Sequence, residues 1–92
     1  MKSETRPRLT LLSRGWCHLC DDMRSALAPL AAQRPFELEV IDVDADPELE
    51  RRYGEEIPVL FAGETELCRH RLDTARVTEY LANYSGIPAP KG

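Results

Sequence analysis

The stretch LTLLSRGWCHLCDDMRSAL, residues 9–27, contains a short apolar run, a loop and two cysteines three positions apart. The opening run, LTLL, is long enough for a buried strand and too short for a helix. After the loop, Cys20, Met23 and Leu27 recur at spacings of three and four, which is the apolar stripe of an amphipathic helix. The stretch therefore predicts a strand that leads through a short loop into a helix, with Cys17 at the helix start.

A Cys-x-x-Cys pair at a helix start has a chemical purpose. The first cysteine lies among backbone N–H groups that have no partner within the helix, and these groups and the helix dipole stabilise a thiolate. The second cysteine follows one turn later on the same face, where it can close a small disulfide ring and release a bound partner. We therefore predict that Cys17 is the attacking thiol and Cys20 the resolving thiol.

Two other interpretations of the pair stay open. Cys17 can belong to a metal or iron–sulfur binding module, or the pair can be inert packing in a redox-inactive interaction domain. Cys68 and His70 lie two apart on a predicted strand and with Cys17 and Cys20 would make a zinc set. That strand is predicted at the sheet edge, away from the pair, so we expect no metal and a packed, apolar role for Cys68.

The rest of the chain predicts one α/β domain. Its element order is β-α-β-α-β-β-α, in which three helices cover both faces of a four-stranded mixed sheet. The core is predicted to run from about residue 8 to residue 84, with loose tails at both ends. The further predicted elements are strands at 36–43, 57–62 and 65–69, a helix capped by Asp46, and a last helix capped by Asp73 with Val77, Tyr80, Leu81 and Tyr84 on its buried side.

Composition narrows the function classes. The net charge is −4, from 12 basic and 16 acidic residues, which argues against nucleic acid as a partner. We find neither an apolar run of about 18 residues nor a secretory signal, so we expect a cytoplasmic protein that does not enter a membrane. Three cysteines are too few for a secreted disulfide scaffold, and a close pair in a reducing compartment indicates catalysis or metal binding.

The sequence resembles the thioredoxin superfamily, and within it the glutaredoxins and short glutaredoxin-like proteins, from Arg8 to Tyr84. The resemblance rests on WCHLC between strand and helix, on Ile57 and Pro58 at the opening of a strand, and on the element order. It implies a thioredoxin/glutaredoxin fold and a thiol–disulfide oxidoreductase. It also implies that Pro58 is cis and lies against the active-site loop, and that the Ile57 backbone offers an edge to an extended substrate.

The subfamily features are mixed. Leu11 stands where thioredoxins usually bury an acid, and Arg14 stands where glutaredoxins often carry a cation. The segment 70–73 replaces a Gly-Gly turn of glutaredoxins without any glycine, although Asp73 is placed to bind the amine of glutathione. The resemblance thus implies Arg14, Ile57 and Asp73 as substrate-binding residues. It implies no bound cofactor, a disulfide-containing protein or small thiol as substrate, and glutathione or a reductase as electron donor.

Residues beside the cysteines have two interpretations each. Trp16 is a flat hydrophobic rim for a substrate or an aromatic wedge under the loop. His18 lowers the pKa of the neighbouring thiol or is an ordinary exposed histidine. Arg14 is a carboxylate clamp or a surface cation. We expect the protein to act as a monomer.

Overall fold

A computed structural model describes residues 6–84, so the predicted loose tails at 1–5 and 85–92 lie outside the described residues. The element order is the predicted one. None of the helices within 6–84 is long and apolar enough to cross a membrane. The elements are β1 (Arg8–Ser13), α1 (His18–Gln33), β2 (Glu37–Asp42), a 3₁₀ turn (Val43–Ala45), α2 (Pro47–Tyr53), β3 (Val59–Ala62), β4 (Thr65–Arg69) and α3 (Thr74–Asn83).

The four strands form one mixed sheet in the order β2-β1-β3-β4. Strand β1 runs parallel to β2 and antiparallel to β3, and β3 runs antiparallel to β4. The parallel pair requires a crossover, which α1 supplies. The predicted four-stranded mixed sheet with three helices is confirmed, and β1 and β3 are its central strands.

The alternation of β1 separates two apolar clusters, one on each face of the sheet. Leu9 and Leu11 point to one face and Leu12 points to the other, because successive side chains of a strand alternate. The larger cluster joins β1, β3 and β4 to α1 and α3, and the smaller one lies under α2. The larger cluster contains Leu9, Leu11, Met23, Leu27, Leu60, Ala62, Leu67, Val77 and Leu81, and the smaller one contains Leu12, Val43 and Val59.

Several predicted boundaries are wrong by one or two residues. The strand predicted at 57–62 begins at Val59, and the strand predicted at 36–43 begins at Glu37. The strand predicted to reach Val43 ends at Asp42, because the Asp42 carboxylate accepts a hydrogen bond from Asp44 N–H at 2.8 Å and turns the chain. Val43 is fully buried in the 3₁₀ turn that follows. Tyr84, predicted on the buried side of the last helix, is exposed because the helix ends at Asn83 and the chain becomes extended there.

Helix α2 is short and depends on its ends. As predicted, Asp46 caps it by accepting hydrogen bonds from the N–H groups of Glu48 and Leu49. Gly54 ends the helix with a right-handed φ of −55°, which any residue can adopt. Space is what this position requires, since a Cβ on Gly54 would lie 2.5 Å from the Glu50 carbonyl oxygen and 2.8 Å from Glu50 Oε2.

We expect Leu11→Ala to lower the free energy of unfolding by about 2 to 5 kcal/mol, because it empties a fully buried position in the central strand. Urea denaturation of the oxidised protein measures this loss. Val40→Ala is the control, because Val40 lies on edge strand β2 with 44% of its surface exposed. Its expected loss is within about 0.5 kcal/mol. Equal losses in the two variants would contradict the burial pattern.

Candidate redox site

Cys17 is the N-cap of α1. Its backbone is extended, and its Sγ accepts a hydrogen bond from Cys20 N–H at 3.1 Å. The first backbone bond of the helix runs from Asp21 N–H to the Cys17 carbonyl at 3.1 Å. The sulfur thus occupies the position where a serine or aspartate oxygen usually caps a helix, as the sequence predicted.

The two cysteines form a disulfide with a Cα–Cα distance of 5.2 Å. They differ in access to solvent. Cys17 is half-buried, whereas Cys20 is 1% exposed and lies on the buried face of α1 with Met23. An incoming molecule therefore meets the Cys17 sulfur first, and the Cys20 sulfur is within bonding reach of it.

The surface around Cys17 is apolar and open. Trp16 is 79% exposed and Leu19 is 50% exposed, so each presents a large hydrophobic surface to solvent. The interpretation of Trp16 as a wedge under the loop is therefore wrong. His18 is exposed between the cysteines. Next to Leu19, a groove of about 360 Å³ runs between α1 and the segment joining β4 to α3; its lining includes Met23 and Leu72.

The Arg14 side chain is paired with two acids of the protein. Its Nη2 lies 2.9 Å from Asp44 Oδ1 and 3.6 Å from Glu50 Oε2, and its side chain is 21% exposed. These two acids are functional-site neighbours that the sequence analysis missed. No local spacing predicts them, because the 3₁₀ turn and α2 reach the loop only through the packing of the smaller apolar cluster.

Pro58 lies at the end of the sheet where β1 passes into the loop of residues 14–17, which carries Cys17. The Ile57–Pro58 peptide bond is cis, as the resemblance implied, and Pro58 is fully buried. Leu12 pairs with Val59 in the antiparallel register. Pro58, which precedes β3, and the last residues of β1 therefore lie at the same end of the sheet. Ile57 is half-buried and packs on the smaller apolar cluster.

The connection from β4 to α3 is anchored to Pro58. His70 N–H donates to the Pro58 carbonyl oxygen at 2.7 Å, and His70 has a left-handed φ of 71°. This histidine therefore adopts a conformation that favours glycine. Asp73 is exposed and caps α3 through a 3.0 Å bond from Arg76 N–H to its Oδ1, so its carboxylate already has a structural partner. Its predicted role in substrate binding stays a prediction.

An ion-pair network that the sequence analysis missed holds the same connection. Arg69 binds Glu66 with two hydrogen bonds, at 2.6 and 2.7 Å, and Glu56 with a third at 3.0 Å. The Arg69 guanidinium holds the pKa of both carboxyl groups below the ordinary value, chiefly through these hydrogen bonds. His70 Nε2 lies 3.1 Å from the same Glu56 oxygen. The network ties the residues before Pro58 to the end of β4.

Cys68 is half-buried on β4 against the larger apolar cluster, in agreement with the packed role predicted for it. Burial raises the pKa of its thiol. The assignment of His70 to the same strand is wrong, since β4 ends at Arg69. Within residues 6–84, no group of three or more His, Cys, Asp or Glu side chains is placed to bind a metal ion, so the hypothetical zinc set is not assembled there.

Fold and site together define a thioredoxin-fold protein with a Cys-x-x-Cys site at the start of its first helix. The chain matches, over residues 8–82, the family model described as "Glutaredoxin-like domain (DUF836)". The protein therefore belongs to this glutaredoxin-like domain family.

Similar proteins are known from several bacteria. An uncharacterized protein of Mycobacterium tuberculosis is 31% identical over 93 residues, covering 95% of this chain and 96% of its own. The solution NMR structure of a Nitrosomonas europaea protein is similar with a TM-score of 0.76 and 39% identity, covering 88% of this chain and 99% of that one. Thioredoxin 1 of Thermosipho africanus shares the fold, with a TM-score of 0.56, 20% identity, and coverage of 84% of this chain and 92% of its own.

The geometry predicts that the alkylation midpoints of two thiols in the reduced protein depart from the ordinary thiol value in opposite directions. We expect Cys17 to be alkylated by iodoacetamide with a midpoint below pH of about 8.5, because a helix N-terminus stabilises its thiolate. Cys68 is the internal control, with a midpoint above about 8.5 because burial disfavours its thiolate. The variants Cys20→Ser with Cys68→Ser, and Cys17→Ser with Cys20→Ser, leave one thiol each. A Cys17 midpoint at or above that of Cys68 would contradict the assignment.

Proposed function

We propose that this protein is a thiol–disulfide oxidoreductase in which Cys17 is the nucleophile and Cys20 the resolving thiol. The observation that supports it most directly is the unequal placement of two bonded cysteines: Cys17 half-buried at the N-cap of α1, and Cys20 buried one turn later. The backbone N–H of Cys20 stabilises a thiolate at Cys17. Because the donor is a backbone group, it remains when the Cys20 side chain is replaced by serine.

In the reductive direction, the Cys17 thiolate attacks one sulfur of a substrate disulfide. A Cys17–substrate disulfide forms, and the other substrate sulfur leaves as a thiolate that takes a proton from water. The Cys20 thiolate then attacks Cys17 Sγ, forming the intramolecular disulfide and releasing the second substrate thiol. Two electrons pass to the substrate, and an external thiol donor, such as glutathione or a reductase, returns them to the cysteines.

The substrate side of the proposal rests on the exposed surface around Cys17. Trp16 and Leu19, which flank Cys17 in the chain, offer exposed apolar area, and Ile57 lies two residues before β3, at the end of the sheet that the loop of Cys17 leaves. An extended polypeptide can use such a surface, pairing its backbone with an edge and resting side chains on the aromatic ring. We infer a disulfide-containing polypeptide as substrate.

The wider setting follows from the same chemistry. Because an external thiol must reduce this dithiol again, we propose a cytoplasmic location for the protein. The proposed reaction uses protein sulfur atoms alone, so no bound cofactor is part of it. We propose that the monomer carries the whole site, since Cys17, Cys20, Trp16 and Pro58 all come from one chain.

The order of attack predicts which variant traps a substrate. In a Cys68→Ser background, Cys20→Ser should accumulate a mixed disulfide with a disulfide-containing peptide, because the resolving thiol is missing. Cys17→Ser should accumulate at least about 10-fold less, because Cys20 is buried. Non-reducing electrophoresis with mass spectrometry measures both products.

Equal trapping by the two variants would overturn the assigned roles. The Cys68→Ser protein with Cys17 and Cys20 intact separates the other two interpretations. Metal analysis of protein purified without chelator would detect a metal or iron–sulfur module. Titration of thiols before and after mild oxidation distinguishes a redox pair, which loses two thiols per chain, from an inert interaction domain, which loses none.

A further inference from the structure

Arg14 stands three residues before Cys17, on the loop that delivers the cysteine to the helix. A cation at such a place would ordinarily attract an anionic substrate, because opposite charges favour association over several ångströms. Here its guanidinium already contacts two carboxylates, with Nη2 at 2.9 Å from Asp44 and 3.6 Å from Glu50. A carboxylate on a substrate must therefore compete with these two groups for the charge of Arg14.

The fold places both acids without help from a substrate. Asp44 sits on the 3₁₀ turn that the Asp42 carboxylate fixes through its bond to Asp44 N–H. Glu50 lies on α2, and the carboxylate of Glu50 folds back over Gly54, where the absence of a Cβ leaves it room. The acids are therefore preorganised, so their attraction for Arg14 involves little additional ordering.

A second donor of Arg14, its Nε, is also inaccessible to a substrate. This nitrogen is buried, and within the described part of the chain it has no hydrogen-bond acceptor. A substrate atom cannot reach this nitrogen without moving the loop. The side chain as a whole is mostly covered, which strengthens its pairing with the two acids over that of a fully exposed pair.

The small pocket beside the loop has no net charge to attract an anion. It measures about 140 Å³, and its lining includes the cations Arg14 and Arg24 and the anions Asp21 and Asp42. Two positive and two negative formal charges cancel, and Asp44 and Glu50 add two more negative charges next to them. The surface on which a substrate would rest instead consists of the apolar side chain of Trp16 and that of Leu19.

We propose that Asp44 and Glu50 determine specificity by occupying Arg14, so that the site discriminates against disulfides with carboxylates close to their sulfur atoms. Its substrates are then polypeptide disulfides flanked by uncharged side chains. This inference rests on the proposed oxidoreductase function and names the substrate class of the same site. Asp44 and Glu50 act through Arg14 and take no part in the sulfur chemistry.

The test compares two disulfides that differ only at their glycyl carboxylates. In the first these carboxylates are charged, and in the second they are uncharged esters. The probes are glutathione disulfide and the disulfide of glutathione glycyl ethyl ester, and the reading is the second-order rate at which each oxidises the reduced protein. For the wild-type protein we expect the acid to react no faster than the ester. In Asp44→Asn with Glu50→Gln, the ratio of acid to ester rates should rise about 5-fold, the upper end for an ion pair near a surface.

Two controls assign that rise to Arg14. Adding Arg14→Gln to the double variant should return the ratio to the wild-type value. Glu39→Gln with Glu48→Gln removes the same two charges from exposed positions with no ion pair to Arg14, and should leave the ratio unchanged. The Asp44→Asn variant alone, expected to show a smaller rise, serves if the double variant fails to fold.

The possible failures are distinguishable. An unchanged ratio in the folded Asp44 and Glu50 variants overturns the specificity proposal and leaves the oxidoreductase function intact. An equal rise in the Glu39 and Glu48 control also overturns it, since the effect would then be one of overall charge. If neither the acid nor the ester oxidises the wild-type protein while a peptide disulfide does, the glycyl carboxylate is not what excludes the disulfide, and the specificity proposal is overturned. If no disulfide does, both proposals are wrong.

Discussion

The hydrogen bond from Cys20 N–H to Cys17 Sγ is the interaction on which the site depends. It makes the reactive sulfur a structural part of α1, so the position of the sulfur is as well defined as the helix itself. The helix in turn is held by Met23 and Leu27, which pack on Leu11 of the central strand and its neighbours. Core packing and thiol chemistry are therefore coupled through one helix turn, and a change that tilts α1 moves the sulfur.

The elements of this fold could be predicted because their signals are local. The apolar spacing of α1, the Asp46 and Asp73 caps and the short apolar run of β1 each occupy a few consecutive residues. The errors occur where a distant or side-chain contact overrides the pattern. Asp42 ends β2 early by bonding to Asp44 N–H, and His70 leaves the line of β4 with its N–H bonded to Pro58.

The residues of the site also divide into those that a local motif predicts and those that depend on contacts between distant parts of the chain. Trp16 has two interpretations in the sequence, and its exposure in the structure decides between them. Cys17 and Cys20 follow from one motif at a strand–helix junction. The partners of Arg14 do not, since Asp44 is 30 positions away along the chain and the approach depends on how α2 packs. For this reason the sequence leaves two interpretations of Arg14 and does not predict its two acidic partners. The same holds for the hydrogen bond from Arg69 to Glu56, 13 positions away, whereas Glu66 lies three positions from Arg69 on the same strand.

The exposed edge of β2 has a consequence for the behaviour of the protein at high concentration. An outer strand carries unpaired backbone groups that can add a strand from another molecule. Here that edge bears Glu37, Glu39 and Asp42, all exposed, while Val40 is its one exposed apolar side chain. A second copy docking edge to edge would bring like charges together in a row, a configuration that is repelled most strongly in dilute salt. Self-association through this edge should therefore be promoted by acid or concentrated salt, both of which weaken that repulsion.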